Sequence, residues 1–299
     1  MRIPRIPVWI KVLTTAVILM LLVRTFAFTS CTIPFSGMEN TLYQGERVLV
    51  NKWSYGLRLP FSTYRLATEH AKRGDVTLFN NPLHRGEGKP VYARELFISR
   101  CVGVPGDTLM MNDELLVMGE WGQSPDSKQL YAYPHTAEDT LQTAMKELKI
   151  LDNPLVGYTS GNYVRSFSHY EYYLLHQKLG TAFRLYPVHV GDTARSHPFV
   201  IPKKGLAVKI HPWNKTLLCN TIIHHEQRKA LVKGDTLYVD GKPVESYTFQ
   251  KDYYWMASNN PVNLSDSRLF GLVPHECLIG KAYCIWYSSR KKRIFQLVE

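Results

Sequence analysis

His224 and His225 stand beside Glu226, and two imidazoles with a carboxylate are the side-chain types of metal binding and proton transfer. Adjacent residues on a strand face opposite ways, and no second His, Asp or Glu pair at ligand spacing accompanies them. The sequence therefore predicts surface histidines, no metal site and no cofactor. The five cysteines, Cys31, Cys101, Cys219, Cys277 and Cys284, form no C-x-x-C, which argues against a zinc ribbon, a thioredoxin-like redox site and a dense disulfide scaffold. An odd number leaves at least one thiol unpaired within a monomer. Neither a P-loop nor a dinucleotide fingerprint occurs, so no nucleotide cofactor is indicated. The run from Ser288 to Arg293 is basic and is expected to be a solvated end; anionic membrane is the next reading and nucleic acid the last.

These groups belong to a chain of 299 residues with 45% hydrophobic and 20% charged residues, enough to bury a core in one or two domains. Its 36 Lys plus Arg against 25 Asp plus Glu leave +11, which excludes an acidic tail and keeps anionic lipid open. From Val8 to Phe28 the chain is apolar over about the 20 residues a membrane-spanning helix needs, with Lys11 and Arg24 near its ends where they can snorkel. Between Val12 and Val23 its only polar residues are Thr14 and Thr15, so it lacks the polar face of a core helix. No A-x-A site follows, and Phe28 sits awkwardly three residues before Cys31 for a lipoprotein signal. An uncleaved anchor is expected. Arg2, Arg5 and Lys11 precede or open the span without an acid, which predicts a cytoplasmic N-terminus and an extracytoplasmic bulk.

Beyond Thr32 the texture turns to short strands. RVLVNKW (47–53), DVTLFN (75–80), VYARELFISRCVGV (91–104) and DTLMM (107–111) come first; LAVKI, DTLYVDGKPV, YYWMA and KAYCIWYSS follow near the end, with Asp240-Gly241 marking a tight hairpin turn. The segments 105–120 and 232–247 both read Gly-Asp-Thr-Leu, then a turn, then a second strand, one hairpin type used twice. Between the two β blocks, residues 121–200 carry two helix starts. Thr136 with Asp139 precedes Leu141, Met145 and Leu148, and Ser168 with Glu171 opens a run that ends at Gly180. Trp53, Tyr55, Trp255 and Trp286 are expected mostly in the core.

An anchor, then Ile33-Pro34 with Gly37-Met38-Glu39-Asn40-Thr41-Leu42, then Leu49-Val50-Asn51-Lys52 with Tyr55-Gly56-Leu57-Arg58, resembles the opening of the bacterial type I signal peptidase family. Three further blocks occur in that family's order. They are Arg73-Gly74-Asp75-Val76 with Asn81-Pro82, Arg100 to Asp107 around Gly103, Pro105 and Gly106, and Ser265-Asp266-Ser267-Arg268 with Gly271, Pro274 and Gly280-Lys281-Ala282. The resemblance covers about 9–120 and 201–299. It implies a mostly β fold: an N-terminal transmembrane helix followed by an antiparallel β catalytic domain with a second β-rich subdomain and a partly helical insert. The expected divisions are 1–30 for the cytoplasmic N-terminus and anchor, 31–120 and 201–299 for the β core, and 121–200 for the insert. The implied activity is removal of signal peptides from exported proteins by a Ser nucleophile and a Lys general base, at the bacterial inner membrane with the bulk periplasmic.

A hydroxyl attacks an amide only after losing its proton, and Lys takes that proton near neutral pH only when burial has lowered its pKa. The family's nucleophile position, directly before the Met of the first block, is Gly37 here, and the position that helps bind the oxyanion is Phe35. The general-base position is Ser99, and Arg100 beside it cannot serve because guanidinium is not deprotonated in proteins. The family's Gly-Asp-Asn is Ala257-Ser258-Asn259, and the Ser that supports the Lys is Leu264, while Asp107, Asp266 and Arg268 are kept. The expectation is an inactive member that binds membrane lipid and acts as a binding or regulatory module, with signal peptides of exported preproteins or an active signal peptidase as partner, and not nucleic acid. The alternative is an active enzyme with Ser36, one residue out of register, as nucleophile.

Overall fold

The structure is a computed structural model that describes residues 7–83, 88–112, 115–118, 124, 126–150, 153–180, 182–188, 196–262 and 265–298. Helix α1 (Val8–Leu22) continues into a π turn at Val23–Ala27, and none of its residues is buried. The 20 residues from Val8 to Ala27 have a mean hydropathy of 1.9, so this segment is long and apolar enough to cross a membrane.

A seven-stranded antiparallel sheet forms the centre. Its order is β1 (Phe28–Thr32), β2 (Arg47–Asn51), β20 (Leu278–Tyr287), β5 (Val76–Asn80), β6 (Leu96–Gly103), β18 (Tyr253–Ala257) and β19 (Val273–Pro274). Chain beginning and chain end thus pair directly, which is why the sequence blocks at the two ends belong to one body. Where β2 meets β20, a side chain at Gly280 would collide with the Asn51 carbonyl, so glycine is required there. One face of the sheet covers Ile33, Met38, Leu42, Val48, Val50, Leu78, Ile98 and Ile285. The other covers Tyr55, Phe79, Phe97, Cys101, Tyr254, Met256 and Phe270. Strand β6 feeds both faces in alternation, Ile98 to one and Phe97 and Cys101 to the other.

A second β-rich part packs around Leu109, Phe199, Ile201, Leu218, Ile222, Phe249 and Trp255. It contains the pair β7 (Thr108–Asn112) with β12 (Ser196–Val200), the pair β13 (Ala207–Lys209) with β17 (Ser246–Thr248), and the meander β14 (Ala230–Lys233), β15 (Thr236–Val239), β16 (Lys242–Val244). Asp240 and Gly241 turn the β15 to β16 hairpin with φ of 49° and 81°, the left-handed conformation that an Asp-Gly turn supplies. In the other copy, Leu115 N donates to Asn112 O at 3.0 Å and Met118 N to Met110 O at 2.7 Å, so the chain turns after β7 as well.

Within 121–200, a sheet in the order β11 (Tyr186–Pro187), β8 (Lys128–Pro134), β10 (Asn162–Ser168), β9 (Gly157–Thr159) packs on α2 (Glu138–Leu148) and α3 (His169–Leu179) through Tyr131, Tyr133, Leu141, Phe167 and Leu175. Ser168 and Glu171 form the expected reciprocal cap of α3. Thr136 does not cap α2: the chain enters that helix through a 3₁₀ turn at His135–Ala137, with no side-chain cap.

Three further expectations are corrected. His224 and His225 lie on a helix, α4 (Lys215–His225), and His225 is buried rather than on the surface. Leu217, Leu218, Cys219, Thr221, Ile222 and His225 are buried and Thr216, Asn220, Ile223 and His224 are exposed; Thr221 and His225 on the inner side and Ile223 on the outer one blur the apolar stripe that would mark the helix in sequence. Of the cations in the basic end, Lys291 and Lys292 are exposed, whereas Arg290 and Arg293 are half-buried. Arg293 donates to Glu46 Oε1 at 2.7 Å and to Thr41 O at 2.7 Å, because the buried Glu46 carboxylate needs a counter-charge; the Arg290 guanidinium lies 3.7 Å over the Tyr43 ring. Tyr55 and Trp255 are core residues at 1% exposure, but Trp53 and Trp286 are exposed at 59% and 38%. All five cysteines are free and buried.

Burial holds His225 down to about 3, and burial with the nearby Arg65 charge holds His275 down to about 4. Both stay neutral in the fold while an unfolded chain protonates near 6.5, so their contribution is complete above that value and declines as pH falls below it. Urea denaturation at pH 7.5 and pH 5.0 should show lower stability at pH 5.0, by on the order of 1 kcal/mol per pH unit for each imidazole. Equal stability at the two values would contradict their burial.

Candidate functional site

The first block leaves the sheet at the end of β1 as a tight loop. Ile33 N donates to Glu46 O at 2.9 Å and Gly45 N to Ile33 O at 2.9 Å, which closes the loop on itself. Ile33, Met38 and Leu42 sink into the core and fix its path. Phe35 is extended and exposed at 53%, and Ser36, Gly37 and Met38 form one 3₁₀ turn. The turn decides what the one-residue offset of Ser36 means for the direction of its side chain. Successive side chains rotate by about 120° in a 3₁₀ turn rather than alternating by 180° as in a strand, so a one-residue offset is not a reversal of face.

Gly37 and Ser99 are reached by one element, the segment that follows β18. Asn260 N donates to Gly37 O at 2.9 Å. Ser99, on β6 opposite Thr77 and fully buried, donates its hydroxyl to Ser265 O at 2.6 Å. Leu264 lies outside the described residues. The segment is itself braced: Ser265 N donates to Ser258 Oγ at 3.2 Å and Ser258 N to Asp266 Oδ2 at 2.7 Å. Arg268 closes on the fully buried Asp266 carboxylate at 2.5 Å. Asp107 is a turn residue, accepting from Val104 N at 2.9 Å and from Arg73 at 2.5 Å. Arg100 bridges Gly74 O and Thr41 Oγ1, each at 2.9 Å, and burial lowers its pKa while Asp126 opposes that shift.

Residues that sequence reasoning passed over complete the site. Asn259 Nδ2 donates to Glu39 O at 3.0 Å and to Thr41 Oγ1 at 2.8 Å, and Thr41 donates to Asp126 Oδ2 at 2.5 Å. Lys128, the first residue of β8, places its amine 2.9 Å from Glu39 Oε2 and 2.7 Å from Asn153 Oδ1, while its backbone N–H reaches Asn259 O at 2.7 Å. Asn260 Nδ2 adds a donor to Glu39 Oε2 at 2.9 Å. The Lys128 and Glu39 side chains are 0% and 5% exposed. Two acceptors hold the Lys128 amine in place. Glu39 sits inside the recognised block and could have been singled out; Lys128 is 89 residues away, outside the blocks that carry the resemblance in sequence.

A buried pair of this kind is costly to break and inexpensive to delete whole. Lys128→Met should lower stability by about 3–5 kcal/mol, because it strands the Glu39 charge, and Lys128→Met with Glu39→Leu should lose less than the single variant. Chemical denaturation of the three chains tests this; a single-variant loss below about 1 kcal/mol would contradict the burial of the pair.

The profile of the family described as Signal peptidase, peptidase S26 matches residues 6–163. Signal peptidase I P of Bacillus subtilis subsp. natto is 38% identical over 113 residues, 38% of this chain and 50% of that protein. Signal peptidase I of Buchnera aphidicola subsp. Schizaphis graminum is 24% identical over 277 residues, 91% of this chain and 72% of that protein. Signal peptidase I of Pseudomonas fluorescens is 24% identical over 291 residues, 93% and 72% respectively. The chain thus spans half of the Bacillus relative and nearly three quarters of the other two. Its N-terminal apolar helix fits membrane anchoring. With a family profile covering more than half of its length, and a mostly β antiparallel fold built from both ends of the sequence, the chain belongs to the signal peptidase I family.

Proposed function

We infer that this chain is a catalytically inactive signal peptidase I homologue that binds exported preproteins, or the signal peptides they carry, without cleaving them. The observation that carries the reading is the pair of occupants at the family's two chemical positions. Gly37 offers no hydroxyl, and its carbonyl already accepts from Asn260. Ser99 offers no amine, and its hydroxyl is spent on Ser265 O. Lys128 does not supply the missing base, since Glu39 and Asn153 engage its amine. Phe35 presents a ring to solvent where the family resemblance calls for a second hydroxyl. Loss of a nucleophile alone lowers turnover by about 10⁶, so the remaining scaffold supplies negligible hydrolysis.

Binding does not need the missing groups. An extended peptide is held mainly by backbone hydrogen bonds along a strand edge and by side-chain pockets, neither of which depends on a nucleophile. The loop 36–41 is held by Asn259, Asn260 and Lys128 and is preorganised for such a role. The apolar helix supports a single-pass location in the bacterial inner membrane. With Arg2, Arg5 and Lys11 at its leading end, the positive-inside rule favours a cytoplasmic N-terminus and a periplasmic bulk.

Incubating the detergent-solubilised chain with a preprotein tests the reading. Retention of the preprotein without N-terminal processing is expected, from the unmodified chain and equally from Ser36→Ala. Processing by the unmodified chain would overturn inactivity, and its disappearance in Ser36→Ala would assign the reaction to Ser36. Gly37→Ser with Ser99→Lys and Leu264→Ser asks separately whether the scaffold still accepts the family's groups.

A further inference from the structure

The two-residue strands β3 (Leu57–Arg58) and β4 (Arg65–Leu66) set Arg58 and Arg65 directly opposite one another. Arg58 gives Nε to Ser62 O at 2.8 Å and Nη1 to Asn80 Oδ1 at 3.0 Å. Arg65 donates to the carbonyls of Gly56 and Leu278. Every one of these acceptors is neutral. Glu276, whose charge reaches Arg58, is itself paired with Lys251 at 2.8 Å. Arg58 Nη2 and Arg65 Nε are enclosed with no acceptor at all, and Arg65 as a whole is 8% exposed. Guanidinium groups opposed at cross-strand positions repel, and enclosed donors without partners cost free energy, so the arrangement calls for an anion. Burial and the Arg58 charge bring Arg65 down to about 10, and burial followed by the same charge lowers Lys52.

The position of the group narrows the anion. The Lys52 amine donates to the carbonyl of Thr25, in the π turn that ends the apolar helix. Lys52 is therefore one side chain from the point where the helix meets the β domain, and Lys52 and Arg58 both keep part of their surface open. Trp53 beside Lys52 is 59% exposed, and the connection between the two short strands carries Phe61 and Tyr64 at 85% and 61% exposure. Exposed aromatics beside cations at the end of an apolar helix are the arrangement of a bilayer interface, where phosphate groups lie.

We propose that Lys52, Arg58 and Arg65 form a binding site for the phosphodiester headgroup of an anionic phospholipid at the base of the anchor. Lys52 and Arg58 meet the headgroup oxygens through the part of their surface that is open, Arg65 adds its charge from behind them, and the headgroup supplies a counter-charge where the hydrogen-bond acceptors of the protein are all neutral. The lipid seats the β domain against the membrane at a fixed rotation about the helix. The site lies outside the loop 36–41, and it rests on the membrane-anchor reading above.

The test uses the full chain. Flotation with neutral phosphatidylcholine vesicles checks the anchor first; failure to float there defeats the anchor reading on its own. The chain is then reconstituted in discs containing equal phosphatidylcholine and phosphatidylglycerol, released, and its retained lipid measured by native mass spectrometry. Enrichment of phosphatidylglycerol by roughly tenfold or more is expected from the cations at the interface, and Lys52→Gln and Arg58→Gln should each reduce it several-fold. Lys52→Gln carries the test if Arg58→Gln does not fold. Equal retention of the two lipids, or undiminished enrichment in the folded variants, would overturn the proposal. So would loss of the enrichment on adding millimolar inorganic phosphate at constant ionic strength, which would identify a free-anion site.

Discussion

The buried ammonium of Lys128 against the Glu39 carboxylate is the contact on which the arrangement of the site depends. Neither charge can sit in the interior alone, and each lies on a different part of the fold. Glu39 follows the turn that holds Gly37, and Lys128 opens the first strand of the insert. Asn260 and Asn259 join them from the segment after β18. Three stretches far apart in sequence therefore meet in one polar centre beneath the sheet. The insert is consequently a wall of the site rather than an attachment to it.

That constraint explains how the loop 36–41 keeps its shape with a glycine in the middle. The carbonyls of Gly37 and Glu39 are both claimed, by Asn260 N and Asn259 Nδ2, and Met38 is buried at 1% exposure. The freedom that glycine brings is removed by its neighbours rather than by its own side chain. Ser99, on β6, is occupied with Ser265, so both positions are integrated into the hydrogen bonding of one segment.

Much of the architecture was legible from residue pattern. The apolar run named α1, Asp240-Gly241 named its hairpin, and Ser168 with Glu171 named the start of α3, since each is a local effect written within a few residues. The family blocks located the loop and β6 in the same way. Helix α4 was not legible because Thr221 and His225 face the core while Ile223 faces out, which blurs the periodic contrast of its two sides. Lys128 was not legible because a lone Lys outside the recognised blocks looks the same whether it is solvated or holds a charge 89 residues away. Arg293 was hidden in a similar manner: in sequence it is one cation of a basic run, and only the fold brings it to Glu46. Local chemistry was readable, and long-range electrostatic pairing was not.

The five separate thiols carry a consequence for how the chain survives its surroundings. Each is shielded by the core, burial raises them all, and Cys277 is pushed up to about 12. Disulfide exchange proceeds through thiolate, and these sulfurs present almost none. The folded chain therefore offers little thiolate for exchange, and its sulfurs come within reach of an oxidant mainly when the sheet itself comes apart.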